Sequence, residues 1–152
     1  MIRTEKRLRL CTALLICNLV FIWGNSLLPG EISASFSDWV KNVIALLLPG
    51  DSSAAPGGGL LRKLAHFTEF ASLGALFAWL FAMLRKKAYW PLLCGITAAC
   101  LDETIQRFVP DRGPSIKDVL IDSSGVLTGM IALYLGHIYF QKKFANQSLE
   151  DK

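Results

Sequence analysis

Three short stretches hold most of the residues that could do chemistry in this 152-residue chain. The first is Arg62-Lys63-Leu64-Ala65-His66-Phe67-Thr68-Glu69-Phe70. The second opens with Asp102-Glu103, continues through Gln106-Arg107-Phe108 and ends at Pro110-Asp111-Arg112, and the third is Ser115-Ile116-Lys117-Asp118-Val119-Leu120-Ile121-Asp122. Five acids, Glu69, Asp102, Glu103, Asp118 and Asp122, stand here with a histidine and a glutamine among apolar neighbours. Carboxylates crowded in a low dielectric cannot all ionise, so such a cluster suits proton exchange. Lys63, Arg107, Arg112 and Lys117 bring the local charge close to neutral, and a self-satisfied ion-pair network is the plain alternative. His66 and Glu69 could also join Asp102 or Asp122 around a metal. A lone histidine with scattered acids does not specify one, and no metal or cofactor is assigned. Covalent catalysis finds little support, because no Ser or Cys is flanked by an evident base.

The elements that must position these residues follow from composition. Of the chain, 53% is hydrophobic and 18% charged, with mean hydropathy +0.42. Average soluble domains are about 45–50% apolar and about 25% charged. This excludes a soluble enzyme, a disordered tail and a disulfide scaffold, and points to an all-α integral membrane bundle. Apolar blocks at about 10–28, 64–84, 88–108 and 116–140 predict four spanning helices, since about 20 apolar residues cross a bilayer. The basic start Arg3, Lys6, Arg7 and Arg9 resembles that of a signal peptide, but the apolar stretch after it is too long, which favours a retained anchor.

Four spans put both termini on one side with the loop Arg85-Lys86-Lys87. That side collects 10 of the 16 basic residues, so the positive-inside rule makes it cytoplasmic. Residues 1–9 then form a basic cytoplasmic start, 10–140 the membrane domain and 141–152 a cytoplasmic tail. The net charge of +4 reads as this topology signal, and no basic stripe suggests nucleic acid. Cys11, Cys17, Cys94 and Cys100 fall within the first and third blocks and read as buried free thiols. His137 falls near the cytoplasmic end of the fourth.

In the extracytoplasmic segment 29–59, Phe36, Trp39, Val40, Val43, Ile44 and Leu47 recur at helical spacing. They predict an amphipathic helix that either lies in the membrane interface or packs over the bundle mouth. Pro49-Gly50-Asp51 ends it, and Pro56-Gly57-Gly58-Gly59 forms a hinge.

This topology brings all three polar stretches to the same membrane face. At 1.5 Å of rise per residue, Glu69, Asp102, Glu103 and Asp122 each lie roughly 8–10 Å inside it. Lys63, His66 and Phe70 share one stripe, and Glu103, Gln106 and Arg107 share another. Ser115, Asp118, Asp122, Gly125 and Gly129 form a third, in which the two glycines permit close packing within the chain. Pro110 and Pro114 fix a short loop that aims Arg112 over the site.

Three linked motifs resemble the VanZ-like family of small bacterial membrane proteins: Lys63-x-x-His66-Phe67-x-Glu69-Phe70, Asp102-Glu103-x-x-Gln106-x-Phe108-x-Pro110-x-Arg112, and Ser115-x-x-Asp118-x-x-x-Asp122-x-x-Gly125. The resemblance covers about residues 26–135. Asp111 departs from it, because many members carry glycine there. The resemblance implies a cell-envelope protein of the cytoplasmic membrane, in a family named for a member associated with teicoplanin resistance. It implies no settled reaction. Read physically, Lys63, Arg107 and Arg112, with Gln106 and Ser115, would hold a lipid-borne phosphate or carboxylate of the envelope. His66, Glu69, Asp102, Glu103, Asp118 and Asp122 would relay protons or form the polar wall. Two functions follow: a module that binds or alters an outer-leaflet lipid and so changes glycopeptide access, and a membrane-embedded acid–base or phosphoryl-transfer enzyme. A lipid-phosphatase arrangement would need a second histidine at the outer face, and His137 lies at the other end.

Overall fold

In hydrocarbon every backbone N–H and C=O must be satisfied within its own segment, which a helix does and an open strand does not. A computed structural model describes residues 2–47 and 58–150, and these form helices with short connections and no strand. They are α1 (Ile2–Ser26), α2 (Gly30–Leu47), α3 (Gly58–Met83), α4 (Tyr89–Gln106) and α5 (Ile116–Glu150). The turn expected at 49–51 and residues 56–57 of the expected hinge lie outside the described residues, while Gly58 and Gly59 already belong to α3.

Among the described residues, three stretches are long and apolar enough to cross a membrane: Thr4–Ser26, Gly59–Met83 and Ile116–Lys143. Their outer faces carry exposed large apolar residues such as Leu14, Val20, Phe21, Leu120, Leu127 and Leu135. That is the surface expected where the solvent is lipid.

The span expected over 88–108 is not among the three. Its helix, α4, has only 18 residues, about 27 Å at 1.5 Å per residue against a core of about 30 Å. Asp102, Glu103 and Gln106 occupy its last turns and lower its hydropathy, and all three are buried against the other helices. The apolar stripe had been diluted by residues that serve the bundle interior.

Helix packing in lipid gains little from the hydrophobic effect and depends on close contact instead. The core is small and made of Leu15, Ile22, Phe70, Leu73, Ala98, Ala99 and Val126. α3 and α5 share the largest interface, and glycines set its closeness. A Cβ on Gly129 would strike the backbone of Ala71, one on Gly125 the Phe67 carbonyl, and one on Gly74 the Val126 backbone. The glycines of the third stripe therefore pack within the chain, as expected. Asn18 adds a polar contact across α1 and α3, its amide donating to the Ser72 hydroxyl at 2.6 Å.

The cysteines need a correction. All four are free and Cys11 is buried, but Cys17 and Cys100 are exposed and Cys94 is half-buried. Their helices turn those faces outward, where a thiol is as acceptable to lipid as a small apolar group.

At the far end of the bundle, α3 stops in a tight turn. Arg85 takes the left-handed conformation (φ 52°), the Lys86 amide bonds back to Phe81 and the Arg85 amide to Ala82. This six-to-one and five-to-two pairing closes the helix and sends the chain back into α4. His137 sits on the exposed face of α5, 2.9 Å from the Gln141 side chain.

Two alanine substitutions separate packing from propensity. Gly136 has open space around its would-be Cβ, so Gly136→Ala should gain the usual helix preference of about 1 kcal/mol. Gly129→Ala should lose stability by about 1–3 kcal/mol through overpacking against the α3 backbone. Thermal melts of the two variants in detergent should shift in opposite directions.

Candidate functional site

The end of α1, the start of α3, the end of α4 and the start of α5 meet at one end of the bundle. There the apolar core gives way to a buried polar cluster. Ser26, Asp102 and Asp122 are at most 1% exposed, and Glu103 and Gln106 are 6% exposed. The first polar stretch contributes His66 and Glu69, the second Asp102, Glu103 and Gln106, and the third Asp118 and Asp122.

Gln106 organises the centre. Its side-chain amide donates to Asp102 Oδ2 at 2.7 Å and to the Ser26 hydroxyl at 3.3 Å. The i, i+4 spacing on α4 makes the first bond local, and the second ties α4 to the last residue of α1. His66 Nδ1 stands 3.8 Å from Asp102 Oδ2, which is charge contact and too long for a hydrogen bond. Glu69 accepts from the Asn25 amide at 3.0 Å, again linking α3 to α1.

Glu103 lines the cavity and also holds the start of α5. Its Oε2 accepts the backbone N–H of Ser115 at 2.7 Å, immediately before α5 begins at Ile116. A carboxylate there satisfies one of the orphan donors of the helix start and complements its dipole. Ser115 enters the site through this amide.

The loop between α4 and α5 closes the end. Gly30 donates its N–H to the Pro110 carbonyl at 3.1 Å, and a Cβ on Gly30 would strike the Asp111 backbone. Asp111 takes φ 59°, the region where glycine is at ease and other residues pay for the Cβ. The loop so held turns Arg112 inward, where one guanidinium nitrogen donates to the Asn25 carbonyl at 3.1 Å. Its Nε and Nη1 are buried without a hydrogen-bond partner among the described residues. Burial pulls the Arg112 pKa below the ordinary arginine value, Arg62 pulls the same way, and Asp102, Glu103 and Glu69 oppose them.

A cavity of about 10 Å³ opens beneath, lined by Arg62, Lys63, His66, Glu103, Gln106, Asp118, Ile121 and Asp122. It has room for a single water-sized occupant. Lys63 is exposed at its rim and Asp118 is half-buried in its wall.

Arg107 stands apart from the stripe it was assigned to. It is exposed and does not line the cavity. One residue is a turn of about 100° on a helix, so burying Gln106 swings Arg107 outward. Lys117 is exposed for the same reason, beside the inward Asp118.

Three participants were missed by sequence reasoning. Asn25 and Ser26 are uncharged and close an apolar helix, so only their place at the C-terminal end of the first span marked them. Arg62 stands four residues before His66, a spacing that puts both on one face.

The strained loop yields a direct test. Asp111→Val places a β-branched side chain at positive φ and should destabilise the protein by about 1–2 kcal/mol. Asp111→Gly should be neutral or slightly stabilising. Thermal unfolding in detergent would rank the three chains, and equal melting points would remove the loop from the account of how Arg112 is held.

Comparison with curated proteins and with solved structures gives no match. Residues 11–137 match the family described as VanZ/LLP1, a span that contains every polar residue placed at this end of the bundle. The chain belongs to the VanZ/LLP1 family.

Proposed function

We propose that this protein binds an anionic, lipid-borne group at the extracytoplasmic face of the bacterial cytoplasmic membrane, and so alters susceptibility to glycopeptides of the teicoplanin type. The observation that carries the reading is an apolar exterior with one polar opening. Arg62 and Lys63 line that opening, and Arg112 is held nearby in the closing loop by the Asn25 carbonyl. The cavity itself is too small for a lipid headgroup, so a phosphate or carboxylate would sit at the mouth. There the rim cations supply forked and point-charge donors.

The membrane arrangement supports this. α4 runs back from the turn at Arg85 to Ser26, so we take it as a fourth crossing, shortened and shielded by its neighbours. Four crossings leave both termini with the basic loop Arg85-Lys86-Lys87, the cytoplasmic side under the positive-inside rule. α2 then lies in the outer interface. Its buried Ser37 faces the bundle, while Ile32, Phe36 and Trp39 point away, and the last two rings stack at 5.9 Å. An apolar groove of about 270 Å³, which includes Leu19, Trp23, Phe77, Ala98 and Leu101, runs along α1, α3 and α4. It ends on the helices that carry Ser26 and Asp102, where an acyl chain could lie beside its own headgroup.

One observation favours a second reading. His66 lines the water-sized cavity and stands beside the buried Asp102, an arrangement that could move protons in an acid–base or phosphoryl-transfer reaction on such a lipid.

Expression in a host lacking the protein tests both. Wild type should raise the inhibitory concentration of teicoplanin. Lys63→Gln and Arg112→Gln should lose that shift at matched membrane abundance, and Arg107→Gln should keep it because that side chain faces away. A shift equal in all four chains would remove the rim from the function. Conversion of a labelled envelope lipid by the purified wild type, lost in His66→Gln, would establish the enzymatic reading.

A further inference from the structure

The lipid reading uses the mouth of the site and leaves its floor unexplained. His66 from α3, Asp102 from α4 and Asp122 from α5 each bring a ligand atom into one group, with these atoms all within 4.8 Å of one another. Asp102 is 0% exposed and Asp122 1%. Both oxygens of Asp122, Oδ1 of Asp102 and Nδ1 of His66 are buried and find no hydrogen-bond partner among the described residues. His66 and Asp122 also line the water-sized cavity, and four orphaned polar atoms grouped in this way are costly unless something meets them.

From this geometry we infer a divalent cation site of the Zn²⁺ or Mn²⁺ kind, formed by His66, Asp102 and Asp122. The proposal goes beyond lipid binding and stands whether or not that reading holds. Ligand atoms lie about 2.0–2.2 Å from such an ion, so pairs of them sit roughly 3–4 Å apart. The 3.8 Å between His66 Nδ1 and Asp102 Oδ2, too long for a hydrogen bond, falls in that range. Charge agrees as well, because two carboxylates and a neutral imidazole neutralise one dication in a setting that penalises any net charge. The mixed nitrogen and oxygen set suits a borderline ion better than Mg²⁺ or Ca²⁺, which prefer oxygen alone. Gln106 supplies the outer support that ligating carboxylates usually have, donating to Asp102 Oδ2 at 2.7 Å and leaving Oδ1 without a partner. Three protein ligands leave a position open toward the cavity.

The test uses the full-length chain in lipid nanodiscs, stripped with chelator and titrated with Zn²⁺, Mn²⁺ and Co²⁺. Wild type should retain about one ion per chain by mass spectrometry and melt at a higher temperature when loaded, since the ion ties three helices together. Asp122→Asn and His66→Gln should lose both effects. Gln106→Leu should bind about 10–100-fold more weakly, and Asp38→Asn on α2 should bind normally. Where a ligand variant misfolds, His66→Cys with Co²⁺ gives an independent answer, because a sulfur-to-cobalt absorption band absent from wild type arises only if position 66 is a ligand. Stoichiometric binding abolished by the ligand variants, or that new band, supports the site. No ion retained by wild type, or binding unchanged in folded Asp122→Asn and His66→Gln, overturns it.

Discussion

Carboxylates buried among apolar helices are the constraint on which this structure turns. An isolated charge at the centre of a membrane helix costs about 2.5–3.5 kcal/mol even on the mild insertion scale, and five acids share one end of this bundle. Asp102 is the centre of the arrangement that makes this tolerable. Gln106 approaches it from the same helix, Ser26 is tied in through Gln106, and His66 faces it from α3. Glu103 accepts the Ser115 N–H at the start of α5, while Glu69 takes the Asn25 amide. Apart from the Gln106–Asp102 bond within α4, each contact joins two parts of the chain, so satisfying the acids also fixes how the helix ends meet.

The rest of the fold serves that meeting. α3 and α5 approach closely enough that Gly74, Gly125 and Gly129 have no room for a side chain, and this brings His66 and Asp122 to one level. The α4–α5 loop is pinned by Gly30 beneath Pro110 and by the left-handed Asp111, and it delivers Arg112 over the cluster. Stability and site geometry are thus the same property in this protein. A mutation that loosens the glycine seam should be felt at the carboxylates before the apolar core notices it.

Much of this was legible in the sequence because membrane helices are counted simply. Apolar blocks gave the helices, their alternating direction brought the three polar stretches to one end, and helical rise gave their common depth. Family membership was legible from the spacing of those same stretches. What escaped notice has physical reasons. Asn25 and Ser26 carry no charge, so nothing marked them until their partners were placed. Arg107 and Gln106 are neighbours in sequence but about 100° apart around the helix, and i+3 and i+4 spacing from Glu103 placed both on one stripe where the structure buries only Gln106. The role of Glu103 as a cap depends on where α5 starts, which a hydropathy pattern does not resolve. α4 also shows that a bundle helix can spend its apolar character on interior polar contacts and so fail a spanning criterion while packed beside helices that meet it.

The convergence of the three polar stretches at one membrane face is the central claim, and impermeant thiol labelling in intact cells tests it most directly. With the four native cysteines replaced, single cysteines at Lys63, Phe108 and Lys117, all exposed at this end, would be compared with one at Lys87 in the opposite turn. The three should label together from outside the cell, and Lys87→Cys only after the membrane is opened. Labelling that splits Lys63, Phe108 and Lys117 between the two faces would contradict the convergence and dissolve the site.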